Sequence, residues 1–160
     1  MTTADDDTLI QALHERGMRV TPQRVLIHRA LRDVGRHVTA EQVLHSVAVS
    51  LPNASLPTVY AALELFEELG IVRRLAAGTG AALWDPRTDE HHHLVCSRCG
   101  AVEDVDAPLD VAPVVRAARR RGYRPAAAEL VLTGLCAGCS ATEASHQRSS
   151  RSTKARGRSA

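Results

Sequence analysis

All four cysteines of the chain fall into two matched pairs, Cys96 with Cys99 and Cys136 with Cys139. Two residues between paired cysteines let both sulfurs of one turn bind a single ion, and two such turns complete a tetrahedral zinc site. Thirty-six residues separate the pairs, which leaves room for a strand, a helix and a second strand. The pattern predicts a small domain closed by structural zinc, with disulfide bonds or a redox switch as the alternative interpretations.

Length and composition narrow the class of protein. A chain of 160 residues with 44% hydrophobic and 24% charged residues is typical of one or two globular domains. It contains no apolar run near the roughly 20 residues that cross a bilayer. Its first residues include three consecutive aspartates, at positions 5–7, whereas a secretory signal peptide begins with basic residues. We therefore expect a cytoplasmic protein that does not bind a membrane.

Charge is distributed unevenly along the chain. Twenty Lys and Arg residues accompany eighteen Asp and Glu residues, but five of the basic residues and none of the acidic ones follow residue 143. The first 143 residues are therefore slightly acidic, so binding to DNA requires a local basic face. Residues 144–160 are rich in Ser and Arg and are predicted to form a disordered basic tail that contacts phosphates or only improves solubility.

Residues 1–85 have the pattern of a winged helix-turn-helix domain. Apolar residues at helical spacing, bounded by capping residues, prolines and glycines, predict helices over 5–16, 22–34, 40–51 and 56–69. Strand patterns over 71–75 and 81–84, around a turn at 78–80, predict the wing.

Residues 86–143 are predicted to form a small α/β domain, which makes the whole chain α+β. Its strand patterns lie over 91–96, 101–105 and 129–135, and its helical pattern lies over 113–121.

Histidines and acids at the start of this second domain form another candidate metal site. In an extended strand His91 and His93 project from one face, whereas His92 projects from the other. Asp85 and Asp104 are among the nearby acids, and imidazole combined with carboxylate binds iron, manganese or zinc. The alternative interpretation of three consecutive histidines is a polar surface stretch.

Several segments together resemble the ferric uptake regulator family. They are GMRVTPQR at 17–24, HVTAE at 37–41, TVY at 58–60, HHHLVCSRCG at 91–100 and the closing cysteine pair. The resemblance covers about residues 8–140, in the family's order. It implies a homodimeric, metal-dependent repressor that binds double-stranded operator DNA, with a C-terminal dimerisation domain, no enzymatic activity and no small-molecule substrate.

The resemblance also implies a set of regulatory metal ligands. By motif they correspond to His37, Asp85, His91, His93 and Asp104. Three imidazoles and two carboxylates suit Fe²⁺ or Mn²⁺. Because His37 belongs to the DNA-binding half, one ion would tie the two domains together and shift the dimer toward its DNA-competent form.

Within the family, the chain most resembles the peroxide-responsive branch, which carries aspartates at the positions of Asp85 and Asp104. In that branch peroxide oxidises a histidine ligand of bound iron, here His37 or His91, and oxidative-stress genes such as catalase are released from repression. The alternative is an iron-responsive repressor of iron-uptake genes. A zinc-uptake regulator fits less well, because no fifth cysteine lies near Asp85.

Four residues are predicted to contact the operator. Arg19 is assigned to the DNA backbone, and Ser55, Thr58 and Tyr60 to the first turn of the recognition helix, although Tyr60 has the alternative role of packing only. Ala61 stands where relatives often carry Arg or Asn, so the operator sequence does not transfer. An alanine methyl there suits contact with a thymine methyl.

Two other classes compete with a repressor. A non-haem iron enzyme uses two histidines and one carboxylate, but a five-ligand site in a small domain leaves little room for a substrate. A zinc-ribbon interaction module would leave the histidines unused, and the helix-turn-helix half disfavours it.

Overall fold

The computed structural model describes residues 3–75, 81–126 and 128–143, with side chains from residue 6 onward. The chain divides into two units, Met1–Asp89 and Glu90–Ala160. The tail predicted over 144–160 and the turn predicted over 78–80 lie outside the described residues. Among the described helices, none has both the length and the apolar character that crossing a bilayer requires.

The first unit consists of four helices followed by an antiparallel pair of strands, in the order predicted for a winged helix-turn-helix. These elements are α1 (Thr3–Glu15), α2 (Pro22–Val34), α3 (Ala40–Val47), α4 (Leu56–Glu68), β1 (Arg73–Leu75) and β2 (Leu83–Asp85). Helix α3 ends at Val47 rather than at the predicted residue 51. Residues 48–50 form turns after it, and Pro52 disfavours the helical conformation at Leu51, so the helix does not resume there.

Side-chain caps explain where two of these helices begin. The Thr21 hydroxyl accepts a hydrogen bond from the Arg24 amide at 3.4 Å at the start of α2. At the start of α3, Thr39 and Gln42 form a reciprocal capping box. Ser55 occupies the N-cap position of α4 but makes no capping hydrogen bond, since its hydroxyl lies 2.9 Å from that of Thr58.

The apolar faces of all four helices meet in one core. Leu13 of α1, Ile27 of α2, Val43 of α3 and both Leu63 and Phe66 of α4 are fully buried there. Burial of each large apolar side chain contributes about 1.5–3 kcal/mol, so this core is the main source of stability for the unit. Trp84 of β2 is fully buried in the same core and ties the strand pair to the helices.

A forked ion pair joins α1 to α2. Arg29 Nε donates to the two carboxylate oxygens of Asp6 at 3.1 and 3.0 Å, and Nη2 donates to one of them as well. These hydrogen bonds hold the pKa of Asp6 below its usual range. Asp6 is therefore ionised beside Arg29 at neutral pH.

In its described residues the second unit contains a three-stranded mixed sheet, one helix between the second and third strands, and a helical segment over 137–143, in agreement with the predicted α/β pattern. Its elements are β3 (His92–Cys96), β4 (Val102–Val105), α5 (Ala112–Arg120) and β5 (Val131–Gly134). The central strand β3 is antiparallel to β4 and parallel to β5. The chain is thus α+β.

Apolar burial in this second unit is sparse. Among its described residues, Val95 and Cys96 are the only buried apolar side chains. Helix α5 is described throughout and has no buried residue, and Val114 on it is 71% exposed. A unit with so little apolar burial needs another source of stability, such as a metal or a second chain.

Candidate metal centres and DNA-binding surface

The parallel pairing of β3 with β5 brings the two cysteine turns together. Cys96 at the end of β3 is in register with Gly134, two residues before Cys136. Both Cys-x-x-Cys turns therefore follow neighbouring strands at the same edge of the sheet. Sulfurs of all four cysteines lie within 4.8 Å of one another.

The spacing of these sulfurs fits zinc rather than disulfide bonds. Cys99 Sγ and Cys136 Sγ are 3.8 Å apart. A tetrahedral ion with bonds of about 2.3 Å to sulfur places its ligands about 3.8 Å from one another, whereas disulfide sulfurs lie about 2.05 Å apart. All four cysteines are described, and none of them forms a disulfide. The cluster therefore fits a closed structural zinc site.

The thiols differ sharply in acidity. The amide of Cys136 donates to Cys96 Sγ at 3.3 Å, and this bond, with those from Cys99 and Arg98, lowers the pKa of Cys96 to about 6. Hydrogen bonding to the Cys136 sulfur and desolvation raise the pKa of Cys139 to about 12. Thiols this close to one another do not all ionise without a cation among them, and a zinc ion supplies that charge.

Arg98 links the two cysteine turns, a role that the sequence analysis missed. Its Nη1 donates to the carbonyl oxygen of Cys139 at 2.7 Å, and its Nη2 lies 3.2 Å from a carboxylate oxygen of Glu143. Four thiolates around zinc carry a net charge of about −2, so a guanidinium beside them is also electrostatically favourable. Arg98 thus holds the second turn against the first.

Replacing Arg98 by alanine is expected to speed the loss of zinc to a chelator about fivefold. The variant loses a hydrogen bond and a favourable charge, worth together about 1 kcal/mol for a half-exposed side chain. A colorimetric chelator measures the release rate. Arg116→Ala, which removes the same charge from α5, is the control and should release zinc like the parent protein. An Arg98→Ala variant with the parental rate would contradict this role.

In the first unit, one isolated bridge brings His37 beside Asp85. The amides of Val38 and Trp84 donate to each other's carbonyl oxygens at 3.0 and 2.8 Å. The residues next to this bridge are therefore adjacent, and His37 Nε2 lies 3.6 Å from Asp85 Oδ2. The other carboxylate oxygen of Asp85 accepts a hydrogen bond from the Arg87 amide at 2.8 Å, which fixes the carboxylate.

The backbone of His37 adopts an uncommon conformation. Its φ is 53°, and it is the only residue other than glycine with a positive φ in the described part of the chain. Such a conformation in a residue with a Cβ costs roughly 1–3 kcal/mol and is retained where the surroundings require it, often at functional sites.

In the second unit, pairing of β3 with β4 gathers His91, His93 and Asp104. His93 stands directly opposite Asp104, and His91 Nε2 lies 3.0 Å from His93 Nε2. Asp104 Oδ1 is 3.8 Å from His91 Nε2 and 3.9 Å from His93 Nε2. The side chains of His91, His93 and Asp104 are 0, 3 and 6% exposed, so the site that these donor atoms form is buried. Two imidazoles with a carboxylate fit a divalent transition metal.

The neighbours of these histidines have different roles. His92, between them, lines a separate cavity with Glu90 and Asp106. Glu129, which the sequence analysis did not single out, has Oε1 2.8 Å from His93 Nδ1. No local signal marks Glu129, because its proximity to His93 depends on the parallel pairing of two strands far apart in sequence.

The four residues predicted to bind DNA have distinct surroundings. Arg19 and Ser55 are exposed, whereas Thr58 is half-buried. Tyr60 is half-buried and packs against the helical core, so part of its ring has a structural role. Arg19 and Thr58 line one groove of about 580 Å³ that also includes Ala61. Ser55 and Tyr60, both described, lie outside that groove.

The sequence matches one protein family over most of its length. The profile described as "Ferric uptake regulator family" matches residues 15–133. Among curated proteins, the peroxide-responsive repressor PerR of Staphylococcus aureus (strain USA300) is 35% identical over 99 residues, which cover 62% of this chain and 67% of that protein.

Solved structures share the fold. The ferric uptake regulator of Helicobacter pylori has a TM-score of 0.71 at 19% identity, over 88% of this chain and 95% of that one. The Vibrio cholerae ferric uptake regulator has a TM-score of 0.62 at 29% identity, over 79% of this chain and 98% of that one. A zinc-bound manganese uptake regulator has a TM-score of 0.58 at 32% identity, over 81% of this chain and 98% of that one.

Proposed function

Because the chain belongs to the ferric uptake regulator family, we propose that it is a cytoplasmic, metal-dependent repressor that binds double-stranded operator DNA as a homodimer. Its specific function in this proposal is peroxide sensing through bound Fe²⁺ or Mn²⁺, with control of oxidative-stress genes such as catalase. The observation that carries the proposal is the convergence of His91, His93 and Asp104 in a buried site.

We assign one regulatory ion to these three ligands together with His37 and Asp85. In support, His37 and Asp85 form a donor pair of the same chemistry. Asp85 and His91 are six positions apart, so the intervening chain reaches at most about 20 Å. When bound, Fe²⁺ supplies the redox chemistry by which peroxide oxidises a histidine ligand, and His37 and His91 are the candidates.

The placement of His37 explains how metal binding would reach the DNA-binding helices. His37 lies two residues before Thr39, the cap of α3, and α3 packs against α4. The Val38–Trp84 bridge fixes the same segment to β2. A ligand bond to His37 therefore acts directly on the helical core that carries α4, which favours one arrangement of the DNA-binding unit over others.

The first turn of α4 is assigned to the major groove, with Ser55, Thr58 and Tyr60 as contacts and Arg19 on the phosphates. Later turns carry exposed acids that phosphates repel, namely Glu64, Glu67 and Glu68.

Exposed apolar residues of the second unit support its role in dimerisation. Leu132 is 52% exposed on β5, and Val114 and Tyr123 are about 70% exposed in and after α5. A second copy of this unit would cover apolar side chains of this kind and supply the burial that one copy lacks.

Peroxide sensing is favoured over iron sensing by two observations. Both carboxylates of the proposed site are aspartates, and the S. aureus relative at 35% identity is a peroxide-responsive repressor. An iron-responsive repressor is the second candidate, supported by the likeness to the V. cholerae ferric uptake regulator. A zinc-uptake regulator and a non-haem iron enzyme fit the donor set less well.

The test is operator binding by the zinc-loaded protein with Fe²⁺ or Mn²⁺ added separately, before and after a low dose of peroxide. We expect binding to need either metal, and peroxide to abolish it only in the Fe²⁺ form. Mass spectrometry should then find one added oxygen on a peptide containing His37 or His91. If the Fe²⁺ form survives peroxide and releases DNA only when iron is chelated, the protein is an iron-responsive repressor instead.

A further inference from the structure

We propose that Glu129 is a positioning residue for the regulatory metal, because it fixes the ring and the tautomer of His93. The inference rests on the regulatory site proposed above. It concerns a residue outside the set of ligands, on the far side of the imidazole ring from the convergent donors.

The hydrogen bond between the two residues determines which nitrogen of His93 carries its proton. Glu129 Oε1 lies 2.8 Å from His93 Nδ1, and an ionised carboxylate only accepts hydrogen bonds. Nδ1 of His93 therefore carries the proton and donates. In the neutral ring the lone pair then lies on Nε2, the nitrogen that faces His91 Nε2 at 3.0 Å and Asp104 Oδ1 at 3.9 Å.

The backbone places Glu129 next to His93. The His93 amide donates to the carbonyl oxygen of Leu130 at 3.0 Å, and His93 is in register with Val131 of β5. Glu129 therefore lies two residues before β5, next to the strand that carries His93. The backbone hydrogen bond fixes the position of His93, and the carboxylate of Glu129 fixes the orientation of its imidazole ring.

A carboxylate behind an imidazole ligand strengthens metal binding for two reasons. It holds the ring in the orientation that the ion needs, so less rotational freedom is lost on binding, and it makes the coordinating nitrogen more basic. Loss of such a partner typically lowers metal affinity by about 10–100-fold. Glu129 also adds a negative charge near the site, and its side chain is 38% exposed, so this charge is partly screened.

The test is Mn²⁺ affinity of the zinc-loaded, full-length protein, measured from the electron paramagnetic resonance signal of free Mn²⁺. Glu129→Ala is expected to weaken binding by about 10–100-fold. Glu129→Gln should weaken it less, because the amide oxygen still accepts from Nδ1. Glu103→Gln is the matched control. Glu103 pairs with Leu94, one position along from the pair of Asp104 and His93, so its side chain projects from the other face of the sheet. The Mn²⁺ affinity of this variant should stay within about twofold of that of the parent protein.

A second readout reports the tautomer without any added metal. Long-range ¹H–¹⁵N spectra should show His93 protonated at Nδ1 in the parent protein and in Glu129→Gln, and a mixture of tautomers in Glu129→Ala. Parental Mn²⁺ affinity in Glu129→Ala, or an unchanged tautomer, would overturn the inference. If His91→Ala abolishes Mn²⁺ binding while Glu129→Ala does not, only this inference fails. If neither variant changes Mn²⁺ binding, the proposed regulatory site fails as well.

Discussion

Replacing Cys96 by serine is expected to remove the structural zinc and to unfold the second unit while the helical first unit stays folded. Structural zinc contributes about 10–16 kcal/mol in small domains, as much as the whole stability of about 5–15 kcal/mol of an ordinary one. The second unit has little else to replace it, because Val95 and Cys96 are its only buried apolar side chains among the described residues. The first unit has its own core around Leu63 and Phe66.

Three measurements on the Cys96→Ser variant check this expectation. Atomic emission gives the zinc content, which should fall below one ion per chain. Circular dichroism should retain most of the helical signal, and hydrogen exchange should show protected amides in α2 and α4 but not in β3. Ser97→Ala, in the same turn, loses only one exposed hydrogen bond to the Gly134 carbonyl at 3.1 Å and should keep its zinc. A zinc-free variant with a protected β3 would show that the ion is dispensable for this fold.

Replacing His91 by alanine is expected to abolish metal-dependent binding to the operator. Loss of a residue that only hydrogen-bonds to a metal ligand already lowers metal affinity about 10–100-fold. Loss of a ligand itself should therefore lower it more than about 100-fold. The zinc content and the fold should be retained, because His91 lies outside the cysteine cluster. Fluorescence anisotropy with labelled operator DNA, titrated at fixed Mn²⁺, measures the effect.

His92→Ala is the matched control for this experiment. His92 is the next residue along the chain and is buried, but it lines a different cavity. Its loss should lower stability and leave the Mn²⁺ dependence of DNA binding unchanged. Equal losses in the two variants would mean that the histidine run acts through packing and not as a metal site.

The features that the sequence predicted are those encoded by short-range patterns. The capping box at Thr39 and the proline at position 22 mark helix starts in any context, and both helices begin there. Alternation along residues 91–93, at the start of β3, placed His91 and His93 in one cluster and His92 elsewhere. Two cysteines separated by two residues have nearly the same geometry in any metal-binding turn, so the zinc cluster was also predictable.

The features that the sequence did not predict depend on contacts between distant segments. Glu129 and Arg98 each bond to a residue 36 or more positions away, across a strand pairing that no local pattern reveals. The positive φ of His37 is another such feature, because no local pattern marks it and the residue lies next to the bridge between Val38 and Trp84. Ser55 is the N-cap residue of α4, but its hydroxyl pairs with that of Thr58 instead of capping the helix, which the residue type alone does not reveal.

The parallel pairing of β3 with β5 has a further consequence for the order in which a newly made chain becomes structured. β3 pairs with β4 through a short connection, but it reaches β5 only across about 35 intervening residues. Closing a loop of that length costs entropy before any contact repays it, and proteins rich in such distant contacts fold slowly. The helices of the first unit form without first closing a loop of that length. We therefore expect the helices of the first unit to form early, whereas the pairing of β3 with β5 waits for the later cysteine pair to emerge and for zinc to bind it.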